Sequence, residues 1–316
     1  MKYCFGVDIG GTGIKIGLFT MEGEILEKWM LKTRRENKGK AILPDVAESL
    51  NAKIEERGIA KEDIKGIGIG VPAPVVGDGI VKNTANLNWE YTEVNREIRE
   101  MTGLEACSGN DANLAALGEM WLGAGKGQKN MIMVTLGTGV GGGIIIDGKP
   151  TVGANGAAAE IGHICVNYHE RRKCGCGKTG CLEQYASATG IARLARMRLA
   201  WDDTPSMLRG QEKIDAKAVF DALKAGDQVA EEIVEEFGEY LGHGLANAAI
   251  LADPAIIVIG GGVSKAGEIM LPYIKKYFMN KAFFANRGTE FVMAQLDNDA
   301  GICGAARLIM DLEATG

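Results

Sequence analysis

The chain has 316 residues, 46% of them hydrophobic and 24% charged, which excludes wholesale disorder, a coiled coil and a collagen-like chain. At about 100–200 residues per domain the length suits two domains, each able to bury its own core. With 35 basic and 41 acidic side chains the net charge is −6, which argues against a general nucleic-acid or membrane-surface binder, because such partners call for basic patches; an anionic substrate has to be met by local devices.

In chain order, apolar runs at 5–9 and 14–19 around a glycine turn predict a hairpin over 3–20, and 25–31 supplies a third strand. Ile42, Leu43, Val46, Leu50 and Ile54 fall at helical spacing within 40–57, and 67–71 returns as a buried strand. A helix is expected from Asp111 to about Leu122, then strands at 131–136 and 143–146 around a second glycine turn. Helical patterning fills 183–252 with breaks near 201–212 and 226, followed by strand 255–259, helix 264–280, strand 290–294 and helix 300–313. Strands and helices alternate, so an α/β protein is expected. No run reaches the ~18 apolar residues that cross a bilayer, and the opening residues lead into a strand instead of a signal peptide, so a cytoplasmic protein with no membrane partner is expected.

Glycine is abundant, 45 residues against 7 prolines, which implies many tight turns and close backbone approaches. Gly11-Thr12-Gly13 and Gly137-Thr138-Gly139 echo one another 126 residues apart, each between β-branched apolar runs, as a duplicated domain would leave them. In Gly10-Gly11-Thr12-Gly13, successive backbone N–H groups can converge on an oxyanion while Thr12 adds a hydroxyl; Asp8 could orient a metal ion and Lys15 could reach a phosphate. The plainer reading is a tight hairpin. The stretch 137–142 makes a comparable nest and matches G-x-G-x-x-G, yet a dinucleotide fingerprint opens a helix, and here Ile144-Ile145-Ile146 continues as strand. A third cluster, Gly260, Gly261 and Gly262, follows a strand and would let a flat ligand lie against the backbone, although any βα turn has this look.

Three thiols, Cys174, Cys176 and Cys181, stand within eight residues on a glycine-rich knuckle, a pattern able to wrap one ion tetrahedrally, with zinc expected. Among the three histidines, His163, His169 and His243, the first is best placed to be the fourth ligand. Four protein ligands leave no open position, so the site reads as structural and not as the catalyst. Asn110-Asp111-Ala112-Asn113 lies at a strand-to-helix junction, where it is either a helix cap or a general base held at a helix start. The loop from Asn83 to Trp89 could hydrogen-bond several hydroxyls or be a plain surface loop.

Together, Asp8-Ile9-Gly10-Gly11-Thr12 with Lys15, Asn110-Asp111-Ala112-Asn113, the 136–142 glycine turn, Glu160-Ile161-Gly162-His163, and Cys174 through Glu183 resemble the ROK family of sugar kinases, most closely its bacterial-type glucokinases, over nearly the whole chain. The resemblance implies a duplicated, actin-like and ribonuclease-H-like fold of two domains with an ATP cleft between them, here 1–115 with 300–316, and 116–299. It also implies transfer of the γ-phosphoryl of ATP to a sugar 6-hydroxyl. It makes Asp111 the base and, with Asn86, Asn110, Glu160, His163 and Glu183, a sugar ligand. The phosphate loops would be Gly10, Gly11, Thr12 and Lys15 with Gly137, Thr138 and Gly139; Gly260, Gly261 and Gly262 would serve the adenosine side, and Asp8 would orient Mg²⁺ through water. The zinc ligands would be His163, Cys174, Cys176 and Cys181, and a homo-oligomer, dimer or tetramer, is expected. Where the family usually has glycine, this chain has Ala73 and Ala159, each adding a methyl beside the expected sugar pocket. Rival readings are a kinase for mannose, fructose or an N-acylated hexosamine, a sugar-sensing repressor of the same family, for which the early first strand leaves no helix-turn-helix, and a silent sugar-binding module.

Overall fold

The computed structural model describes residues 1–84 and 86–313, and the chain divides into two compact units. The first holds 1–129, 148–158 and the segment from Leu296 onward; the second holds 130–147 and 159–295. The boundary therefore falls later than 115, because the whole of the helix that starts at Asp111 stays with the first unit.

In chain order the strands of the first unit are β1 (Tyr3–Ile9), β2 (Gly13–Thr20), β3 (Ile25–Lys32), β4 (Ile64–Val71), the short β5 (Ile80–Val81) and β6 (Thr92–Glu93), and β7 (Ala106–Asn110). Its helices are α1 (Ile42–Arg57), α2 (Val94–Thr102) and α3 (Asp111–Leu122). The second unit carries β8 (Met131–Leu136) and β9 (Val140–Ile146). After the short β10 (Lys149–Pro150) of the first unit come α4 (Glu183–Ala186), α5 (Ala188–Trp201), α6 (Ala216–Lys224), α7 (Gln228–Ala252), β11 (Ile256–Gly260), α8 (Leu271–Lys281) and β12 (Glu290–Met293). The closing helix α9 (Ala300–Met310) returns to the first unit.

The first sheet runs β3-β2-β1-β4-β7, antiparallel across the β1–β2–β3 hairpins and parallel across β1–β4–β7. In the second unit β9 is antiparallel to β8, and β11 is parallel to both β8 and β12. Both units thus build a hairpin onto parallel strands, and the Gly-Thr-Gly echo falls on the equivalent hairpin turn of each. This is the duplicated, actin-like α/β arrangement.

The Ile/Gly alternation of β4 explains how the first unit packs. Strand side chains alternate between faces, so Ile67 and Ile69 enter a core with Phe5, Val7, Ile16, Val46 and Leu50. On the other face Cys4 and Phe19 pack on Ile302 and Ala306 of α9, and between them Gly6 and Gly68 leave the backbone uncovered. A Cβ on Gly68 would lie 1.7 Å from the Ala305 carbonyl and one on Gly6 2.1 Å from that of Ile302, so α9 rests on backbone. Helices α3 and α9 touch in the same manner, since a Cβ on Gly304 would lie 1.7 Å from the Leu114 carbonyl oxygen. Much of the glycine content is this close packing. In the second unit α7 buries Ile233, Phe237, Leu241 and Leu245 with Ile132, Val134, Ile257 and Ile259 of the sheet.

Three elements differ from the sequence-based expectation. Gly141, Gly142 and Gly143 belong to β9, paired with Thr135, Val134 and Met133, so the second turn narrows to 137–139. The expected helix over 264–280 is short 3₁₀ turns followed by α8, because Gly267 at φ +88° resets the chain and Pro272 starts the helix. Helix α9 ends at Met310, short of 313.

Candidate active site and metal cluster

In the first unit, β1 delivers Asp8 to the hairpin turn at Gly10, Gly11 and Thr12, and β2 carries Lys15 directly across from Asp8. The turn is closed by Gly10 N–H donating to the Gly13 carbonyl at 3.0 Å, and a Cβ on Gly10 would come within 2.9 Å of that same oxygen. Burial raises the pKa of Asp8 and Lys15 opposes the rise. The Lys15 ammonium itself donates to the Asn298 carbonyl at 2.9 Å, which ties it to the loop before α9. Asn86 is exposed, and its backbone oxygen lies beside Gly11.

At the end of β7, Asn110 is the N-cap of α3: its Oδ1 accepts from the N–H groups of Ala112 at 3.0 Å and Asn113 at 3.1 Å. The capping reading of this motif therefore falls to Asn110. Asp111, next in line, places a carboxylate in the first turn, where Oδ1 accepts from Ala112 N–H at 2.8 Å and the helix dipole favours negative charge. The Asn110 amide also reaches the carbonyl of Ala73 at 3.4 Å, so the added methyl at 73 leaves that carbonyl usable.

In the second unit the β8–β9 turn repeats the first, with Gly137 N–H donating to the Gly139 carbonyl at 2.9 Å. Glu183, at the start of α4, accepts from Val140 N–H through Oε2 at 3.2 Å, and a Cβ on Gly139 would strike that oxygen at 2.2 Å. The segment 159–163 lies on β9: Cβ atoms on Gly142 and Gly162 would come within 2.5 Å and 2.0 Å of the Ala159 and Val140 carbonyls. Ala159 holds a left-handed φ of +65°, where glycine is the unstrained residue. Glu160 is exposed, and His163 ends the short 3₁₀ turn Ile161–His163.

His163, Cys174, Cys176 and Cys181 bring one ligand atom each to within 4.8 Å of one another, so the cluster can hold a metal ion. The Cys176 and Cys181 sulfurs are 3.6 Å apart and Cys174 Sγ is 3.9 Å from His163 Nδ1. A tetrahedron with Zn–S bonds near 2.3 Å has edges of roughly 3.8 Å, which these separations match. His169 and His243 are outside the cluster.

A cavity of about 620 Å³ in the same unit is lined by Gly137 and Thr138 of the turn, by Ala188, Ala216, Phe220, Val263 and Ala266, and by lysines including Lys213 and Lys265. It joins an apolar slot to the second glycine turn. Of the glycines 260–262, only Gly262 lines it. Gly261, at φ +88°, would put a Cβ 2.6 Å from Leu136 backbone atoms, and one on Gly260 would meet Met133 and Ala294 at 3.0 and 3.1 Å. Sequence reasoning missed the α6 wall; its trace was the Ala216, Val219, Phe220 spacing of an amphipathic helix, which says nothing about a cavity.

A hairpin-plus-parallel sheet in each unit, a glycine turn on each hairpin, and a carboxylate at a helix start define the actin-like ATPase class that sugar kinases of the ROK type share. Residues 4–311 match the model of the ROK family. A glucokinase of Halalkalibacterium halodurans is 43% identical, covering 99% of this chain and 96% of that protein, and one of Thermotoga maritima is 36% identical over 97% and 96%. The crystal structure of a ROK family glucokinase from Streptomyces griseus in complex with glucose and AMPPNP aligns with TM-score 0.75 at 36% identity, covering 97% of this chain and 98% of that one. The chain belongs to the ROK family.

Proposed function

We propose that this protein is an ATP-dependent glucokinase that transfers the γ-phosphoryl group of ATP to the 6-hydroxyl of glucose, with Asp111 as general base. The observation that carries this reading is the Asp111 carboxylate at the head of α3, with Asn110 beside it taking the capping duty. The names of the similar full-length relatives select glucose among hexoses.

In the proposed reaction Asp111 takes the proton of the sugar O6 as the new O6–phosphorus bond forms and the bond from the γ-phosphorus to the ADP oxygen breaks, the leaving ADP keeping that electron pair. Asn86, Asn110, Asp111, Glu160, His163 and Glu183 hold the sugar hydroxyls. The turn N–H groups of Gly11, Thr12, Thr138 and Gly139 face phosphate oxygens, and the 620 Å³ cavity beside Thr138 takes the nucleoside. Magnesium, bound with the nucleotide, supplies positive charge against the phosphates, and Asp8 would hold it through water. Zinc fits the cysteine–histidine cluster by donor set and spacing. His163 can serve both metal and sugar because Nδ1 turns toward Cys174 and leaves Nε2 available. Four protein donors make this ion structural. The same reading places the enzyme in the cytoplasm, as a homo-oligomer, where ATP and free hexoses meet.

A coupled ATP-consumption assay over glucose, mannose, fructose and N-acetylated hexosamines tests the proposal. Glucose is expected to give the highest kcat/KM; sugar binding without ATP consumption for every hexose would overturn it in favour of a sensor.

A further inference from the structure

An anion-binding turn has two requirements. Its N–H groups have to be unspent, and its carbonyl oxygens, which repel phosphate, have to be held pointing elsewhere. Both turns of this protein meet the first requirement: among the described residues, the N–H groups of Gly11 and Thr12, and those of Thr138 and Gly139, make no hydrogen bond within the protein. The second is met by an unexpected pair of residues.

In the first unit Thr33, just after β3 and only 5% exposed, donates its hydroxyl to the Gly10 carbonyl at 2.7 Å and its N–H to the Thr12 carbonyl at 3.3 Å. In the second unit the N–H of Ala188 donates to the Gly137 carbonyl at 2.8 Å, and the hydroxyl of Thr189 donates to the Thr138 carbonyl at 3.0 Å. Each turn thus has one carbonyl tied by a threonine hydroxyl and one by a backbone N–H. The donors come from unrelated elements, a strand exit in one unit and the start of α5 in the other, so this is not a relic of the glycine echo. Glycine flanks both turns, and peptide planes next to glycine rotate easily; something has to fix them.

We propose that Thr33 and Thr189 are positioning residues that lock the peptide planes of the two phosphate turns with N–H outward, and thereby set affinity for the phosphoryl donor. This rests on the kinase reading above. Neither residue touches the reacting atoms.

The test uses the full-length protein and ADP as probe. Thr33→Val and Thr189→Val keep side-chain shape and remove the hydroxyl bond to the turn carbonyl, together, at Thr189, with the 3.0 Å hydroxyl contact to Ser187 Oγ; Thr33→Ser and Thr189→Ser keep the hydroxyl. A net hydrogen bond corresponds to about a two- to tenfold change in an equilibrium constant. Calorimetric ADP affinity and KM for ATP should each worsen by about that factor in both valine variants, while KM for glucose stays within about twofold and the serine variants recover the loss. Thr189 is exposed, so its valine variant folds even where Thr33→Val does not. Wild-type ADP affinity in a folded Thr189→Val protein, or nucleotide loss that serine does not rescue, overturns the inference. Failure of the wild-type protein to bind ADP overturns the kinase reading instead, so the two failures are distinct.

Discussion

The sulfur of Cys174 lies 3.5 Å from Oε1 of Glu183, whose other oxygen accepts from Val140 at the end of the second glycine turn. The cysteine–histidine cluster and the second glycine turn are therefore joined in the second unit by one carboxylate, itself a candidate sugar ligand. Structural zinc sites bring about 10–16 kcal/mol of binding free energy coupled to folding. Cys176→Ala, or removal of the ion with a strong chelator, should lower Tm and raise KM for glucose, with metal content measured alongside. A metal-free Cys176→Ala protein with wild-type Tm and KM would refute this link.

Asp8 sits where burial opposes its charge, against Gly301 of α9. Its folded pKa is above its unfolded one, so the folded state favours the protonated form: the penalty on stability is absent below the ordinary carboxylate range, grows as pH rises through the two pKa values, and is complete above the folded one. Asp8→Asn should therefore raise Tm at pH 7, with the gain shrinking as pH falls through the raised folded pKa and gone below about 4, while kcat drops through loss of the carboxylate proposed to orient magnesium. Thermal melts across pH paired with turnover measurements check both halves; a variant less stable at pH 7 contradicts the sign.

Ala159 carries φ +65°, which costs a residue with a Cβ about 1–2 kcal/mol. Ala159→Gly removes that strain and returns about 0.4–1 kcal/mol as unfolded-chain entropy. The expected outcome is a small net stabilisation, together with greater tolerance of bulkier sugars; urea unfolding and the hexose panel measure the two effects.

Glu119 is fully buried in α3, where Oε1 accepts from Leu296 N–H at 2.7 Å and Oε2 from Ala124 N–H at 2.8 Å, fastening the end of α3 to the chain that enters α9. Glu119→Ala strands two half-buried N–H groups and should cost about 1–3 kcal/mol in denaturant unfolding. Glu119→Gln, which keeps one acceptor, should cost less.

What could be read from the sequence was local. The hairpins around 10–13 and 137–139, the knuckle from Cys174 to Cys181 and the strand-to-helix junction at Asp111 are short segments whose chemistry and geometry are set by near neighbours. What could not be read depends on distant packing. That Gly260 and Gly261 lie tight against Met133 and Leu136 of β8 is not visible locally, and Gly142 looks like part of a turn until the 159–162 segment lies across it. The bond that Lys15 donates to the carbonyl of Asn298, far along the chain, is likewise invisible in the local sequence. The α6 wall and the Thr33 and Thr189 ties follow from the same long-range closure.

The most direct measurement is hexose-6-phosphate formation by wild type and Asp111→Asn with glucose and MgATP, alongside glucose affinity by calorimetry. General-base loss should lower kcat by about 10²–10⁴-fold with glucose Kd changed by no more than a few-fold. An Asp111→Asn enzyme that turns over at the wild-type rate would contradict the assignment of the base.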